Sequence, residues 1–198
     1  MIPGKTGSIA CCIAVLVLTG CVQSTSPDGG HAQDGAISGA VPSAADGTFA
    51  SGTIGHMLDR QAQDLRASMA NQQIDIRNTG SEIIVTMPEG ILFDVDGSAL
   101  RANLQTDIRA LARNLWQYPD STVDVIGHTD NTGSAAYNQE ISGHRASAVV
   151  RVLLEQGIVS PSRVRTFGRG EDAPVATNLT PEGRHMNRRV EIIISPIV

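Results

Sequence analysis

The sequence predicts an α+β domain, an α/β sandwich with helices packed on one face of a small mixed sheet. Three observations carry that prediction. Two long segments, 98–117 and 134–156, place apolar residues at helical spacing. Short runs rich in valine and isoleucine, bounded by turn residues, lie before, between and after them. The 198 residues are 41% hydrophobic and 18% charged, enough for one core of ordinary size once any processed or irregular segments are set aside.

Taken in order, residues 53–70 read as a helix, with Ile54, Met57, Leu58, Leu65 and Met69 near helical spacing. Residues 73–77 alternate as a short strand, 78–81 (Asn-Thr-Gly-Ser) as a turn, and 82–87 as a second strand, giving a hairpin. Residues 98–117 carry the stripe Leu100, Leu104, Ile108, Leu111 and Leu115, and Tyr118-Pro119-Asp120 ends that helix. A strand follows at 122–126. A long helix spans 134–156, with Ile141, Ala148, Val149, Val152 and Leu153 toward the core and Gly157 at its end. Residues 164–167 form a short strand, 181–187 a helical turn, and 189–195 the closing strand.

Composition removes several function classes. The net charge of −5 argues against a general nucleic-acid binder, which needs a cationic excess to displace phosphate counterions. Three Phe, two Tyr and one Trp are too few for the aromatic girdles of a transmembrane barrel. All cysteines lie at Cys11, Cys12 and Cys21, so a disulfide framework or cysteine-based zinc site in the folded body is excluded. Lys5 is the only lysine, and the other fourteen basic side chains are arginines. A lysine-dependent mechanism in the folded body is therefore excluded as well.

The amino terminus reads as an address. Residues 9–18 are an apolar run whose helix would rise about 15 Å, half of the bilayer core. That is the length of a signal-peptide core, not of a spanning helix. Leu18-Thr19-Gly20-Cys21 resembles the bacterial lipobox. The resemblance implies a signal peptide over 1–20, acylation of the Cys21 thiol and stable anchoring through several acyl chains. Val22, where an inner-membrane lipoprotein carries Asp, points to the outer membrane. Residues 22–52 are rich in Ser, Gly, Ala, Thr, Asp and Pro, contain no lysine or arginine, and read as a flexible linker of root-mean-square span about 30 Å. The expected organisation is 1–20 signal, 21–52 lipidated cysteine and linker, 53–87 helix and hairpin, and 88–198 the main domain.

One local motif misleads. The run 91–100, Ile-Leu-Phe-Asp-Val-Asp-Gly-Ser-Ala-Leu, resembles the nucleophile motif of haloacid-dehalogenase phosphatases, where two aspartates work beside Mg²⁺. That family also needs a late cation, usually lysine, and a late acidic pair at a strand end. No lysine follows residue 5, and Glu171-Asp172 sits in a loop. An EF-hand fails because Gly97 comes two positions too early. Asp94 is left as a turn or cap residue.

The informative stretch is 125–133, Val-Ile-Gly-His-Thr-Asp-Asn-Thr-Gly, followed by Tyr137, Asn138, Ile141, Ser142, Arg145 and Ala146. The run 178–191, Asn-Leu-Thr-Pro-Glu-Gly-Arg-His-Met-Asn-Arg-Arg-Val-Glu, completes it. Together these blocks resemble the OmpA-like peptidoglycan-binding domain, the family of Pal lipoproteins, the carboxy-terminal domain of OmpA and the periplasmic part of MotB. The resemblance spans roughly residues 85–196. It implies a βαβαβ domain that binds the diaminopimelate of the wall's stem peptide. The free end of that residue carries an ammonium and a carboxylate on one carbon. By resemblance, Asp130 pairs with the ammonium and Arg145 with the carboxylate, an apt use of arginine's bidentate fork. The family pattern also sets Thr132, Asn138, Arg188 and Asp96 around the pocket, and backbone amides over 132–138 are candidate extra donors.

Read alone, the same residues have blander roles. Asp130 suits a turn or helix cap, and Arg145 a solvated helix face. His128 suggests a metal pair or a dyad, with His144 and His185 the further imidazoles nearby, but no metal-ligand spacing such as HExxH exists, so a packed loop histidine is expected. Gly168-Arg-Gly170 reads as a turn. Arg184, Arg188 and Arg189 look like a nucleic-acid patch in isolation, but in a secreted anionic protein a mix of ligand contact and structural ion pairing is the better reading. The function expected is a non-enzymatic, lipid-anchored outer-membrane tether with peptidoglycan as partner, without cofactor or metal. The alternatives are a scaffold acting mainly on an envelope protein partner through 53–87, and a hydrolase using Asp94/Asp96 or His128/Asp130.

Overall fold

Alternating apolar and polar residues make the strands, and their register decides which face is buried. In the computed structural model, which describes residues 48–94 and 97–197, the strands are β1 (Asp75–Asn78), β2 (Ile83–Pro88), β3 (Ser121–His128), β4 (Val164–Gly168) and β5 (Arg189–Pro196). They form one sheet in the order β1-β2-β5-β3-β4. Only β3 and β4 run parallel, so the sheet is mixed. Ile83 pairs with Ile194, Val85 with Ile192 and Met87 with Val190; on the other side of β5, Ile194 pairs with Val123 and Ile192 with Val125. All eight side chains are buried, which makes one face of the three central strands a continuous apolar layer.

The helices are α1 (Thr48–Ser68), the single turn α2 (Glu89–Leu92), α3 (Ala102–Gln117), α4 (Ala135–Leu154) and α5 (Pro181–Asn187). α1 packs on β1 and on α3, α3 packs on α4, and α4 lies on β3 and β4. The stripe Leu104, Ile108, Leu111 and Leu115 of α3 is fully buried, as helical spacing requires. Between α1 and α3 the buried polar pair Gln61 and Asn114 satisfies itself: Gln61 Nε2 donates to Asn114 Oδ1 (3.1 Å), and Asn114 Nδ2 donates to the Gln61 carbonyl (3.3 Å). The Tyr118 hydroxyl donates to Asp64 (2.7 Å), and burial together with that carboxylate pushes its pKa up to about 12.

Residues 53–87 are no appendage, because β2 sits between β1 and β5 and α1 supplies Leu58, Ala62 and Leu65 to the core. The elements depart from the sequence reading in a few places. α1 begins at Thr48, five residues before the expected start; extending a formed helix by a turn costs little. α3 begins at Ala102 and not at 98. Leu100 instead bridges Phe93 in an antiparallel return, and the Arg101 N–H donates to the Leu92 carbonyl (2.8 Å). α2 and a 3-10 turn at Pro161–Arg163 have no counterpart in the sequence reading, being too short to show a period. Ile141 is half-buried at a cleft wall and does not reach the core. The expected signal 1–20, Cys21, most of the 22–52 linker and Asp96 lie outside the described residues. Among the described residues, no helix is long and apolar enough to cross a membrane.

Candidate functional site

The sheet register builds the site. β5 lies between β2 and β3, so the residue just before it, Arg188, stands between the segments that leave those two strands. Glu89 follows β2, and its N–H donates to the Arg188 carbonyl (3.0 Å), carrying the antiparallel pairing one step beyond Pro88–Arg189. Asp130 follows β3 on the other side.

α4 brings Arg145. Its approach to the sheet is close because Gly127 and Gly168, paired across β3 and β4, have no side chains. A Cβ on Gly127 would sit 2.1 Å from the Ser142 carbonyl oxygen, and one on Gly168 would sit 2.7 Å from both the Gly143 nitrogen and Ser142 Oγ. Arg145 is one turn further along the same helix. Ser134 caps α4, its Oγ accepting from the Tyr137 N–H (3.2 Å).

These elements surround a polar cleft of about 580 Å³ lined by Glu89, Asp130, Thr132, Asn138, Arg145 and Arg188, with Phe93 and Tyr137 among its aromatic walls. Its charged groups alternate in sign. Asp130 Oδ1 accepts from the Thr132 N–H (2.8 Å), and Oδ2 accepts from Arg188 Nη1 (2.5 Å). Arg188 Nε lies 2.8 Å from Glu89 Oε2, and Glu89 Oε1 pairs in turn with Arg145 Nη2. Arg145 Nε donates to the Gly97 carbonyl (3.2 Å), and its guanidinium carbon lies 5.7 Å from the centre of the Phe93 ring. Asp130 and Arg145 are both about 6% exposed, so burial has removed much of their competing water. Burial alone would raise the Asp130 pKa; the Arg188 bond and the Thr132 donors outweigh it and hold the carboxyl below its ordinary value.

Five of the six ligand residues expected from sequence, Asp130, Arg145, Thr132, Asn138 and Arg188, line this one cleft. Asn138 also braces it: its Nδ2 donates to the Asp130 carbonyl (3.2 Å) and to Glu171 (2.6 Å). The amides over 132–138 offer less than expected. The N–H groups of Thr132, Tyr137 and Asn138 are already engaged by Asp130, Ser134 Oγ and the Ser134 carbonyl. Asp94 is a turn residue, its carbonyl accepting from the Gly97 N–H (2.9 Å) and its exposed carboxylate pairing with Arg101 (3.1 Å). His128 ends β3, buried, with Nε2 3.4 Å from Glu191 Oε2. Arg189 is structural, bonded to Glu191, Asn187 and Ala173, and Arg184 holds the Asn178 carbonyl at the cleft rim. No group of three or more His, Cys, Asp or Glu side chains suited to a metal occurs among the described residues. Glu89 was missed in the sequence reading. Its only signal is that it follows a strand whose partner begins at Arg189, and that pairing is invisible before the sheet is known.

The mixed sheet with its helices and the charged cleft at its edge define an α/β domain of OmpA-like fold, and the chain belongs to the OmpA family, whose model matches residues 92–188. Among known relatives, it is 38% identical over 146 residues to the probable lipoprotein YiaD of Escherichia coli (strain K12), covering 74% of this chain and 66% of that one. It is 39% identical over 105 residues to the peptidoglycan-binding protein ArfA of Mycobacterium bovis, covering 53% of this chain and 32% of that one. The solved cell wall anchor of the T6SS from Pseudomonas aeruginosa superposes with a TM-score of 0.58 at 30% identity, covering 70% of this chain and 96% of that one. The chain thus spans about two thirds of the first curated relative and about a third of the second.

Proposed function

We propose that this chain is a lipid-anchored outer-membrane protein that binds peptidoglycan noncovalently through the diaminopimelate of the stem peptide, with Asp130 taking the ammonium and Arg145 the carboxylate. The observation that carries this reading is the meeting of two buried, oppositely charged side chains, Asp130 and Arg145, in one open polar cleft. Thr132 and Arg188 orient Asp130, and Asn138 fixes its loop. The guanidinium of Arg145 lies over Phe93 and is held in place by the Gly97 carbonyl and Glu89, which orients it for a ligand carboxylate in the cleft. The names of the ArfA and T6SS-anchor relatives, a peptidoglycan-binding protein and a cell wall anchor, support the same partner. Acylation at Cys21 and a signal over 1–20 complete the proposal at the membrane end, in keeping with the probable lipoprotein YiaD. The role is binding, with neither bond cleavage nor cofactor.

Sedimentation with purified sacculi tests the reading. Wild type should pellet with the wall, and Asp130→Ala and Arg145→Ala should each lose binding by tenfold or more. Stem peptides amidated at the diaminopimelate carboxylate should bind more weakly, because the ligand then offers Arg145 no charge. Pelleting of both variants at the wild-type level would reject the site.

A further inference from the structure

Glu89 belongs to the cleft but has no part in the recognition scheme above. Its carboxylate is only 12% exposed and is gripped on both sides, by Arg145 at one oxygen and by Arg188 at the other. Its backbone is fixed too, by the bond from its N–H to the Arg188 carbonyl. Four of the charged groups that line the cleft form a row, Asp130, Arg188, Glu89, Arg145, each in contact with the next, and within the row formal charges cancel. Without Glu89, two guanidinium groups of the row would face a single carboxylate, and the row would carry a net positive charge that attracts any anion. With it, the row is neutral but polarised, negative at Asp130 and positive at Arg145. A zwitterion meets both poles. A simple carboxylate meets Arg145, whose charge Glu89 already partly balances, and brings no ammonium for Asp130, so it adds an unbalanced negative charge to the row, a repulsive element of the kind that creates specificity.

We propose that Glu89 is a specificity-determining residue: by balancing one of the two cleft arginines that it contacts, it makes the site select the zwitterionic end of a stem peptide over an end that is a net anion. This inference rests on the peptidoglycan reading given above.

The test compares two synthetic ligands by titration calorimetry: the tripeptide L-alanyl-γ-D-glutamyl-meso-diaminopimelate, and the same peptide acetylated on its distal amine. Wild type should prefer the free amine. Glu89→Gln should narrow that preference about tenfold, mainly by strengthening the acetylated ligand. Glu89→Asp, which keeps the charge, should hold it near wild type. Arg188→Gln should widen the preference, and the double variant Glu89→Gln/Arg188→Gln, in which the row is again neutral, should return it toward wild type; these two decide the matter if Glu89→Gln alone does not fold. Glu89→Gln that folds yet keeps the wild-type ratio, or loses both ligands alike, overturns the role of Glu89, as does a double variant that fails to restore the ratio. If Arg145→Ala binds the unmodified tripeptide as well as wild type, the peptidoglycan reading falls first and this inference with it. Loss of binding in Arg145→Ala with an unmoved ratio in Glu89→Gln removes the Glu89 role alone.

Discussion

At the scale of the residue, identity alone decides little, and partners decide most. Arg163 shows this. It sits in the 3-10 turn before β4, and its guanidinium donates to the carbonyls of Leu115 (3.0 Å), Tyr118 (3.0 Å) and Ser121 (2.7 Å) and to Ser121 Oγ (2.7 Å). The carbonyls of Leu115 and Tyr118 lie where α3 ends and have no helical partner ahead of them. Arg163→Ala leaves them without that donor and should destabilise the domain by about 3 kcal/mol in chemical denaturation. Arg163→Lys should recover only a fraction, since one ammonium cannot reach four acceptors in the guanidinium's planar geometry. Nothing in the sequence distinguished Arg163 from the other arginines. Asp130 and Arg145 were legible because they stand in a long ordered motif. Glu89 was not, because its meaning comes from two arginines distant in sequence that the sheet brings to it.

At the scale of the element, periodic segments were legible and the joints between them were not. Leu104, Ile108, Leu111 and Leu115 of the expected stripe lie on α3, while Leu100 falls before it, and β2 and β5 occur where strands were expected. α2 is a single turn, and the return through Leu100 is an isolated bridge, so neither carries a period to read. Those joints nevertheless place Glu89 and Phe93 in the cleft. The packing of α4 on the sheet was equally hidden, because it depends on what two glycines lack. Gly127→Ala would drive a methyl group against the Ser142 carbonyl, which belongs to helix backbone and cannot swing aside. α4 must then lift, at a cost of about 2–3 kcal/mol for overpacking. Arg145 rides on the same helix, so the variant should lose wall binding even at temperatures where it remains folded. Denaturation and sacculus pelleting on one preparation separate the two effects. A destabilised variant with full binding would show that the glycines serve stability alone.

At the scale of the whole molecule, the alternation of elements and the single apolar face were enough to read a sandwich from sequence, while the pairing order β1-β2-β5-β3-β4 was not. That order makes acid stability a property of the domain. β5 holds Glu191, whose carboxylate faces His128 at the end of β3 and Arg189 on its own strand. The His128 contact, working against burial and aided by Arg189, brings the Glu191 pKa down to about 2 from 4.5. Asp130 is also held below its ordinary value, by Arg188 and Thr132 against the opposing effect of burial. A carboxylate whose folded pKa lies below its unfolded one adds stability that is complete above the unfolded value and disappears as pH falls toward the folded one. Tm should therefore hold steady above about pH 5 and fall steeply between 4.5 and about 2. Glu191→Gln should be less stable than wild type at pH 6 and should lose its deficit over that same interval, because protonated wild type and the variant are then nearly equivalent. Thermal unfolding of the two proteins from pH 7 to pH 2 reads this directly. A gap that stays constant down to pH 2 would mean that the carboxylate acts by packing and not by its charge.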